Sequence, residues 1–251
     1  MNSYSSLEAT LHDVFWASEG PSLELPLLRD FLQAHPGRSL EIGCGSGRLL
    51  LPLLDEGFTV EGLELSQEML DLCRRQSADT GLMLHQGNMD DWQAPHPYAS
   101  VMVPAFTLQL SRDPIAALQH FATMLDDQGA LYISTFTPLA EILGELPENQ
   151  WYPDHQTLLD DGQLATIHTM HQIDPEKQLL HRQHRYEIHN DQGELTATHE
   201  SSQQLHWFTR EQLKKHLKSA GFVIETQIPD FKPTRKSLAR AQILSTIARK
   251  E

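Results

Sequence analysis

The fold is decided by the stretch Glu41-Ile42-Gly43-Cys44-Gly45-Ser46-Gly47-Arg48. A short apolar run, residues 39–42, leads into the three glycines and is typical of a buried strand. Leucines follow at helical spacing and predict a helix over residues 46–56, although Pro52 lies inside it. Glycines permit a sharp turn and let a ligand approach the backbone without a Cβ in the way. A strand, a glycine-rich turn and a helix in this order indicate the ligand crevice of an open α/β sheet.

Strands and helices continue to alternate through most of the chain. Further strands are predicted at residues 58–65, 82–85, 100–104, 129–136, 222–228 and 241–248, and helices after Ser66 and over residues 113–125 and 209–220. This alternation implies a mostly parallel sheet with helices on both faces and right-handed crossovers. The predicted fold class is α/β, with a doubly wound, mostly parallel, seven-stranded sheet of Rossmann-like type.

The alternation is interrupted between residues 164 and 208. Three stretches with a period of two residues lie there, at residues 164–173, 179–189 and 195–208, separated by turn sequences. They predict an antiparallel meander inserted after the fifth strand.

Two domains follow from this pattern. Residues 1–137 and 209–251 are expected to form the ligand-binding Rossmann-like domain, in which residues 1–37 are an N-terminal helical cap across the ligand side. Residues 138–208 are expected to form an inserted lobe that serves as a substrate lid or as a dimerisation surface.

Composition limits the classes of partner. The 251 residues carry a formal net charge of −15, which argues against a nucleic-acid substrate, because such binding relies on Lys and Arg neutralising phosphates. Two isolated cysteines, Cys44 and Cys73, indicate a reduced intracellular protein. Residues 1–20 lack the pattern of a signal peptide, and no apolar run approaches the length of a membrane span. We therefore expect a cytoplasmic protein without a membrane partner.

The spacing of the glycines, together with one later carboxylate, narrows the class of ligand that the turn can bind. Dinucleotide-binding loops have the pattern G-x-G-x-x-G, whereas here the third glycine, Gly47, comes one place earlier. Glu64 ends the next predicted strand, 19 residues after Gly45, where a carboxylate can accept hydrogen bonds from both ribose hydroxyls of an adenosine. Together these features resemble class I S-adenosylmethionine-dependent methyltransferases of the small-molecule type, similar to methyltransferase domains 25 and 11.

The resemblance extends over residues 36–136 and 205–228. Asn88 stands where the family commonly has Asp, and Gln128 replaces a common glycine before the fifth strand. The resemblance implies the cofactor S-adenosylmethionine, with S-adenosylhomocysteine as product. The residues that it implies for cofactor binding are Glu41, Gly43, Cys44, Gly45, Gly47, Glu64, Leu65, Asn88, Met89, Val103 and Pro104.

Methyl transfer to a small molecule is the expected reaction. It is an in-line displacement at a sulfonium carbon, so catalysis consists mainly of aligning nucleophile and methyl group, and a general base is optional. No catalytic residue is assigned for this reason. Residues 103–106 read Val-Pro-Ala-Phe and lack both the Asn/Asp-Pro-Pro-aromatic motif of amino-group methylation on bases and the nucleophilic cysteine of cytosine C5 chemistry. Both absences favour O-, N- or C-methylation of a small molecule.

The predicted insertion is rich in histidine and aromatic residues. Its histidine pairs are spaced three apart, and on a strand such positions face opposite sides, so no metal site is predicted. Residues that could contact a substrate, as aromatic surfaces or cation–π partners, are Trp16, Trp151, Tyr152, Arg185, Tyr186 and His206. Core packing and the interface of a homodimer formed through the inserted lobe are the alternative roles.

Two other classes of protein stay open at this point. One is a non-methylating enzyme on the same fold, such as an aminopropyl transferase or a nucleotide-sugar or dinucleotide oxidoreductase. The other is a non-catalytic module that binds the cofactor for regulation or assembly.

We predict micromolar-range binding of S-adenosylmethionine and S-adenosylhomocysteine, and no binding of NAD, in calorimetric titrations. Glu64→Ala should weaken binding of the adenosyl ligands by roughly 1.5–3 kcal/mol, the usual scale for a hydrogen bond to a charged group. An unchanged affinity would remove Glu64 from the binding site.

Overall fold

The computed structural model describes residues 4, 6–18, 20–78, 81–235, 237–238 and 241–251. The chain divides into two compact units. One comprises residues 22–137 and 206–251 and is called the parallel-sheet unit. The other comprises residues 1–21 and 138–205 and is called the antiparallel-sheet unit.

The described residues form the following elements in chain order. The helices are α1 (Ser6–Ser18), α2 (Leu25–Ala34), α3 (Leu50–Asp55), α4 (Gln67–Gln76), α5 (Pro114–Met124), α6 (Leu139–Ile142) and α7 (Arg210–Ser219), with a 3-10 helix at Thr107–Leu110. The strands are β1 (Ser39–Ile42), β2 (Val60–Glu64), β3 (Leu84–Gln86), β4 (Tyr98–Val103), β5 (Leu125–Phe136), β6 (Tyr152–Leu158), β7 (Leu164–Asp174), β8 (Leu179–His189), β9 (Leu195–His206), β10 (Phe222–Pro229) and β11 (Ile243–Lys250).

The parallel-sheet unit contains a seven-stranded sheet in the order β10-β11-β5-β4-β1-β2-β3. The pairs from β5 to β3 are parallel, and β11 runs antiparallel to both of its neighbours. The doubly wound, mostly parallel fold predicted from the sequence is confirmed. Strand order reverses between β1 and β4, and ligands of open α/β sheets bind at the carboxyl ends of the strands at such a point.

Apolar cores cover both faces of this sheet. On one face, Phe121 of α5 and Leu217 of α7 pack in one cluster with Leu131 of β5. On the other face, Phe31 of α2 and Leu50 of α3 pack in a second cluster with residues that include Tyr132. Burial on both faces explains why the central strands read as continuous apolar runs and not as alternating ones.

One predicted helix is shorter in the structure. The sequence predicts a helix over residues 46–56, but α3 begins only at Leu50. The reason is the backbone of the turn: Gly43, Gly45 and Gly47 all have positive φ and cannot belong to a right-handed helix. Pro52 then falls in the first turn of α3, where its missing N–H costs little.

The antiparallel-sheet unit contains four strands in the order β6-β7-β8-β9. The predicted meander after the fifth strand is confirmed as β7, β8 and β9, and β6 is an additional strand. β6 was not predicted because its sequence is mostly polar and carries Pro153. It pairs on one side only, with β7, and an edge strand tolerates both proline and solvent exposure.

The N-terminal helix α1 belongs to a different unit from the one expected. Residues 1–21 were expected with the Rossmann-like domain, but they group with the antiparallel sheet, and only α2 belongs to the parallel-sheet unit. The apolar face of α1 explains this, because Leu11 and Phe15 are buried in one cluster with Ala165 and Tyr186.

No helix in the described parts of the chain has both the length and the apolar character needed to cross a lipid bilayer.

A capping box begins α7 and provides a test of the fold. The Thr209 hydroxyl accepts the N–H of Gln212, and the Gln212 side chain accepts the N–H of Thr209. Thr209→Ala should lower the free energy of unfolding by about 1 kcal/mol, measured by urea denaturation, because the N–H of Gln212 loses its hydroxyl acceptor. Thr209→Ser keeps the hydroxyl and should recover most of this loss; equal losses in both variants would contradict the cap.

Candidate functional site

The glycine-rich turn lies at the carboxyl end of β1, beside β2. The N–H groups of Gly43 and Cys44 donate to the carbonyl oxygen of Leu63, at 2.7 and 3.2 Å. Gly43 has φ +76°, and a Cβ built there would lie 2.6 Å from Cγ2 of Thr107. At Gly47 a Cβ would lie 2.7 Å from Sγ of Cys73. Only glycine therefore permits both the left-handed backbone and the close approach of its neighbours.

The structure brings Glu64 directly to this turn. One carboxylate oxygen accepts the N–H of Gly45 at 3.1 Å, and the other accepts the N–H of Ser66 at 2.8 Å. The Ser66 hydroxyl in turn caps α4 by accepting the N–H of Met69. The carboxylate at the end of β2 and the glycine turn at the end of β1 thus form one hydrogen-bonded unit.

Glu41 is buried beneath the turn. It is 1% exposed, and its Oε2 has no hydrogen-bond partner among the described residues. Burial raises the pKa of Glu41 to about 8, opposed by the nearby Arg48 and assisted by the charges of Glu24 and Glu64. A buried carboxylate with an unpaired oxygen is costly unless something compensates it, and this makes Glu41 a candidate ligand contact.

Glu24 is a second buried carboxylate, which sequence reasoning missed. Its two oxygens accept the N–H of Ala105 and the hydroxyl of Tyr132, both at 3.1 Å. Burial raises the pKa of the Glu24 carboxyl, while these hydrogen bonds and Ser134 lower it. In the sequence Glu24 is an ordinary carboxylate before a helix, and its partners lie 81 and 108 residues further along the chain.

The turn after β4 is strained. Ala105 and Phe106 follow the buried Val103 and Pro104 and have φ +50° and +65°. Consecutive non-glycine residues in the left-handed region are unfavourable and persist where the surroundings hold them, often at ligand sites. The holding contacts are the hydrogen bond from Ala105 to Glu24 and that from the Phe106 N–H to Ser134 Oγ at 3.4 Å.

The other residues implied for cofactor binding occupy different environments. The side chain of Cys44 packs in the core, where burial raises its thiol pKa far above the usual range, so only its backbone is presented at the turn. Met89 is also buried in a core cluster, and Leu65 is half-buried. The Asn88 side-chain oxygen accepts the N–H of Asp90 at 3.0 Å and closes a turn after β3.

Aromatic side chains surround the carboxyl ends of β4, β5 and β10. The ring of Phe106 lies 5.0 Å from that of Phe136 and stacks at 6.5 Å on Phe231. Nearby, Gln109 is fully buried and donates to the backbone oxygens of Phe136 and His206. The Nε2 atom of His206 is buried without a hydrogen-bond partner among the described residues, and burial lowers the pKa of this imidazole.

Five of the six predicted substrate residues lie in the antiparallel-sheet unit. The sixth, His206, lies in the parallel-sheet unit. The Arg185 guanidinium lies 4.2 Å from the centre of the Trp151 ring, and Tyr152 contacts His171 at 3.3 Å. Trp16 and Tyr186 line a cavity of about 390 Å³, whose lining does not include Trp151, Tyr152 or Arg185. Two of the six predicted substrate residues therefore share this cavity.

Histidine, cysteine and carboxylate side chains do not gather into a three-ligand metal site anywhere in the described part of the chain.

Comparison with known proteins finds similarity to methyltransferases. A family model described as a methyltransferase domain matches residues 22–227. A dTDP-3-amino-3,6-dideoxy-alpha-D-glucopyranose N,N-dimethyltransferase from Streptomyces fradiae is 26% identical over 239 residues, covering 88% of this chain and 86% of that protein. A ubiquinone biosynthesis O-methyltransferase from Sodalis glossinidius is 29% identical over 133 residues, and covers only 48% of this chain and 53% of that protein.

A solved structure shares the fold over its whole length. CalS10, an amino pentose methyltransferase from Micromonospora echinaspora solved with bound S-adenosylmethionine, superposes with a TM-score of 0.71 at 19% identity and covers 100% of this chain and 99% of that one. The resemblance inferred from the glycine turn and Glu64 is confirmed. Because the family model spans most of the sequence, the chain belongs to the methyltransferase-domain family.

Proposed function

We propose that this protein is an S-adenosylmethionine-dependent methyltransferase that methylates the amino group of a sugar. The observation that carries the proposal is the hydrogen-bonded unit of the Gly43–Gly47 turn and Glu64. It offers backbone that a ligand can approach closely, next to a carboxylate that can accept ribose hydroxyls.

The residues present fit this cofactor. The Glu64 carboxylate, which already accepts two backbone N–H groups at the turn, has the acceptor capacity for ribose hydroxyls as well. The buried Oε2 of Glu41, without a partner among the described residues, is a candidate contact for a cationic group. Gly43, Gly45 and Gly47 would form the backbone wall, Glu64 would hold the ribose, and Asn88 and Met89 would contact the adenine. Val103, Pro104 and Glu41 would lie toward the methionine end, and Leu65 and Cys44 would contribute backbone and apolar surface.

S-adenosylmethionine, when bound, supplies a methyl group on a sulfonium that is already activated for displacement. The protein's own contribution is to bind and orient, which can supply several kcal/mol of a displacement barrier. The strained turn at Ala105 and Phe106 is held by Glu24 and Ser134, so this wall is preorganised. A cationic group bound beside the buried carboxyls Glu41 and Glu24 would favour their ionised forms and be attracted by them. No catalytic base is assigned.

An amino sugar is the substrate class best supported by the comparisons. The relative named for N,N-dimethylation of a dTDP-amino sugar matches across nearly the whole chain, and the structural neighbour is named as an amino pentose methyltransferase. The O-methyltransferase match spans only about half of each chain. The cytoplasmic location and the homodimer through the inserted lobe stay predictions.

We expect N-methylated product when the protein is incubated with labelled S-adenosylmethionine and a dTDP-3-amino sugar, and none with the matching 3-hydroxy sugar. Mass spectrometry of the product measures this. Glu64→Gln should reduce turnover at limiting cofactor by about tenfold or more. Asp127→Asn, which alters an exposed carboxylate near the start of β5, is the control and should leave turnover unchanged.

This assay also separates the alternatives. Transfer of an aminopropyl group or oxidation of the sugar would contradict methyl transfer. Binding of S-adenosylmethionine without product from any amino sugar in a metabolite extract would favour the non-catalytic module.

Glu41 should make the affinity for S-adenosylmethionine depend on pH. Its pKa of about 8 in the free protein means that it is mostly protonated at neutral pH, and a cationic cofactor favours the ionised form. Binding then releases a proton, so affinity should rise with pH up to about 8, by at most about tenfold per pH unit. Calorimetry of the wild type against Glu41→Gln isolates this effect from the titration of the cofactor itself. The same pH dependence in both proteins would contradict it.

A further inference from the structure

The cavity of about 390 Å³ lies within the antiparallel-sheet unit, between α1 and the strands β6 to β9. Phe15 and Trp16 of α1 contribute to one side, and Asp154, His184 and Tyr186 of the sheet contribute to the other. Trp16 is 40% exposed and contributes an aromatic surface to the lining.

A chain of hydrogen bonds on the sheet side determines which ring nitrogen of His184 carries the proton. The Thr169 hydroxyl donates its single hydrogen to Oδ2 of Asp154 at 2.6 Å. The hydroxyl oxygen of Thr169 also lies 2.9 Å from Nδ1 of His184, and because its only hydrogen is given to Asp154, Nδ1 must carry a proton and donate it to Thr169. Burial lowers the pKa of His184 to about 4, and the neutral ring therefore has a lone pair on Nε2, which can accept a hydrogen bond.

The lining carries one carboxylate, Asp154, among aromatic and polar side chains. Asp154 is exposed and keeps a second carboxylate oxygen beyond the one that accepts from Thr169. Behind Tyr186, the buried Glu8 accepts the tyrosine hydroxyl at 3.1 Å. Among the described residues that line the cavity there is no Lys or Arg.

The other titratable groups at the cavity are engaged with neighbours. His12 contacts Asp13 at 2.9 Å, and His155 contacts the Ser18 hydroxyl at 2.7 Å. Both imidazoles are polar edges of the lining.

We propose that this cavity binds the amino-bearing ring of a sugar. The apolar face of the ring packs on Trp16 and Phe15, its ammonium group pairs with Asp154, and a hydroxyl donates to Nε2 of His184. Aromatic faces next to a carboxylate attract an ammonium group through both cation–π and charge interactions. The choice of an amino sugar among cationic ring compounds rests on the proposed function, whereas the preference for a cationic group inside the cavity follows from Asp154 beside the aromatic side chains.

The test is binding of monosaccharides to the full chain without S-adenosylmethionine, measured by titration with NMR or calorimetric detection. D-glucosamine should bind at least about fivefold more tightly than D-glucose, and glucose 1-phosphate should bind no better than D-glucose. Asp154→Asn should abolish the preference for glucosamine, and Trp16→Ala should weaken both sugars by about fivefold or more.

Asp160→Asn, an exposed carboxylate in the loop between β6 and β7 that does not line the cavity, is the matched control and should change nothing. Circular dichroism melting checks that each variant is folded, and Trp16 is exposed enough that its removal should not unfold the chain. Equal affinity for the two sugars, or preference for the phosphate, or a preference that survives Asp154→Asn, would overturn the proposal.

The outcome is independent of methyl transfer because no cofactor is present. A protein that methylates amino sugars but shows no glucosamine preference here would keep its function and lose this site. A protein that fails to methylate but shows the preference would keep the site.

Discussion

The ligand crevice depends on the hydrogen bond from the Gly45 amide to Glu64, which joins the turn after β1 to the carboxyl end of β2. The Ser66 amide holds the other carboxylate oxygen and starts α4. The three glycines of the turn have no side chains with which to fix its shape. Its shape is maintained by the close neighbours Thr107 and Cys73 and by this carboxylate.

The surroundings of the crevice show how much unfavourable structure the fold tolerates there. Glu24 and Glu41 are buried carboxylates, and the Ala105–Phe106 turn is in the left-handed region. Each of these costs free energy in an apolar interior, and the two cores on either side of the sheet supply the compensating burial. Glu24 connects these features, since it holds the strained turn and the Tyr132 hydroxyl at once. Concentrated strain and buried charge of this kind are expected where a fold serves a ligand.

The two units use different chemistry. The parallel-sheet unit offers backbone, a carboxylate and a preorganised turn, which suit a nucleoside-bearing cation. The antiparallel-sheet unit offers aromatic faces, an exposed carboxylate and a histidine whose tautomer is set by Thr169. The matched family model spans residues of both units.

The sequence by itself determined the features that depend on neighbours within a few residues or on regular spacing. These include the glycine turn and its partner Glu64, the alternation that predicts the seven-stranded sheet, the three long strands of the meander, and the capping positions Ser66 and Thr209. Only the tertiary structure decided the burial of Glu24, the grouping of α1 with the antiparallel sheet, the polar edge strand β6 and the tautomer of His184. The physical reason is the distance along the chain between interacting residues. A turn or a cap is set by adjacent backbone, whereas burial and many hydrogen bonds depend on residues far apart in the chain, such as Glu24 and Tyr132. No local sequence pattern records such contacts.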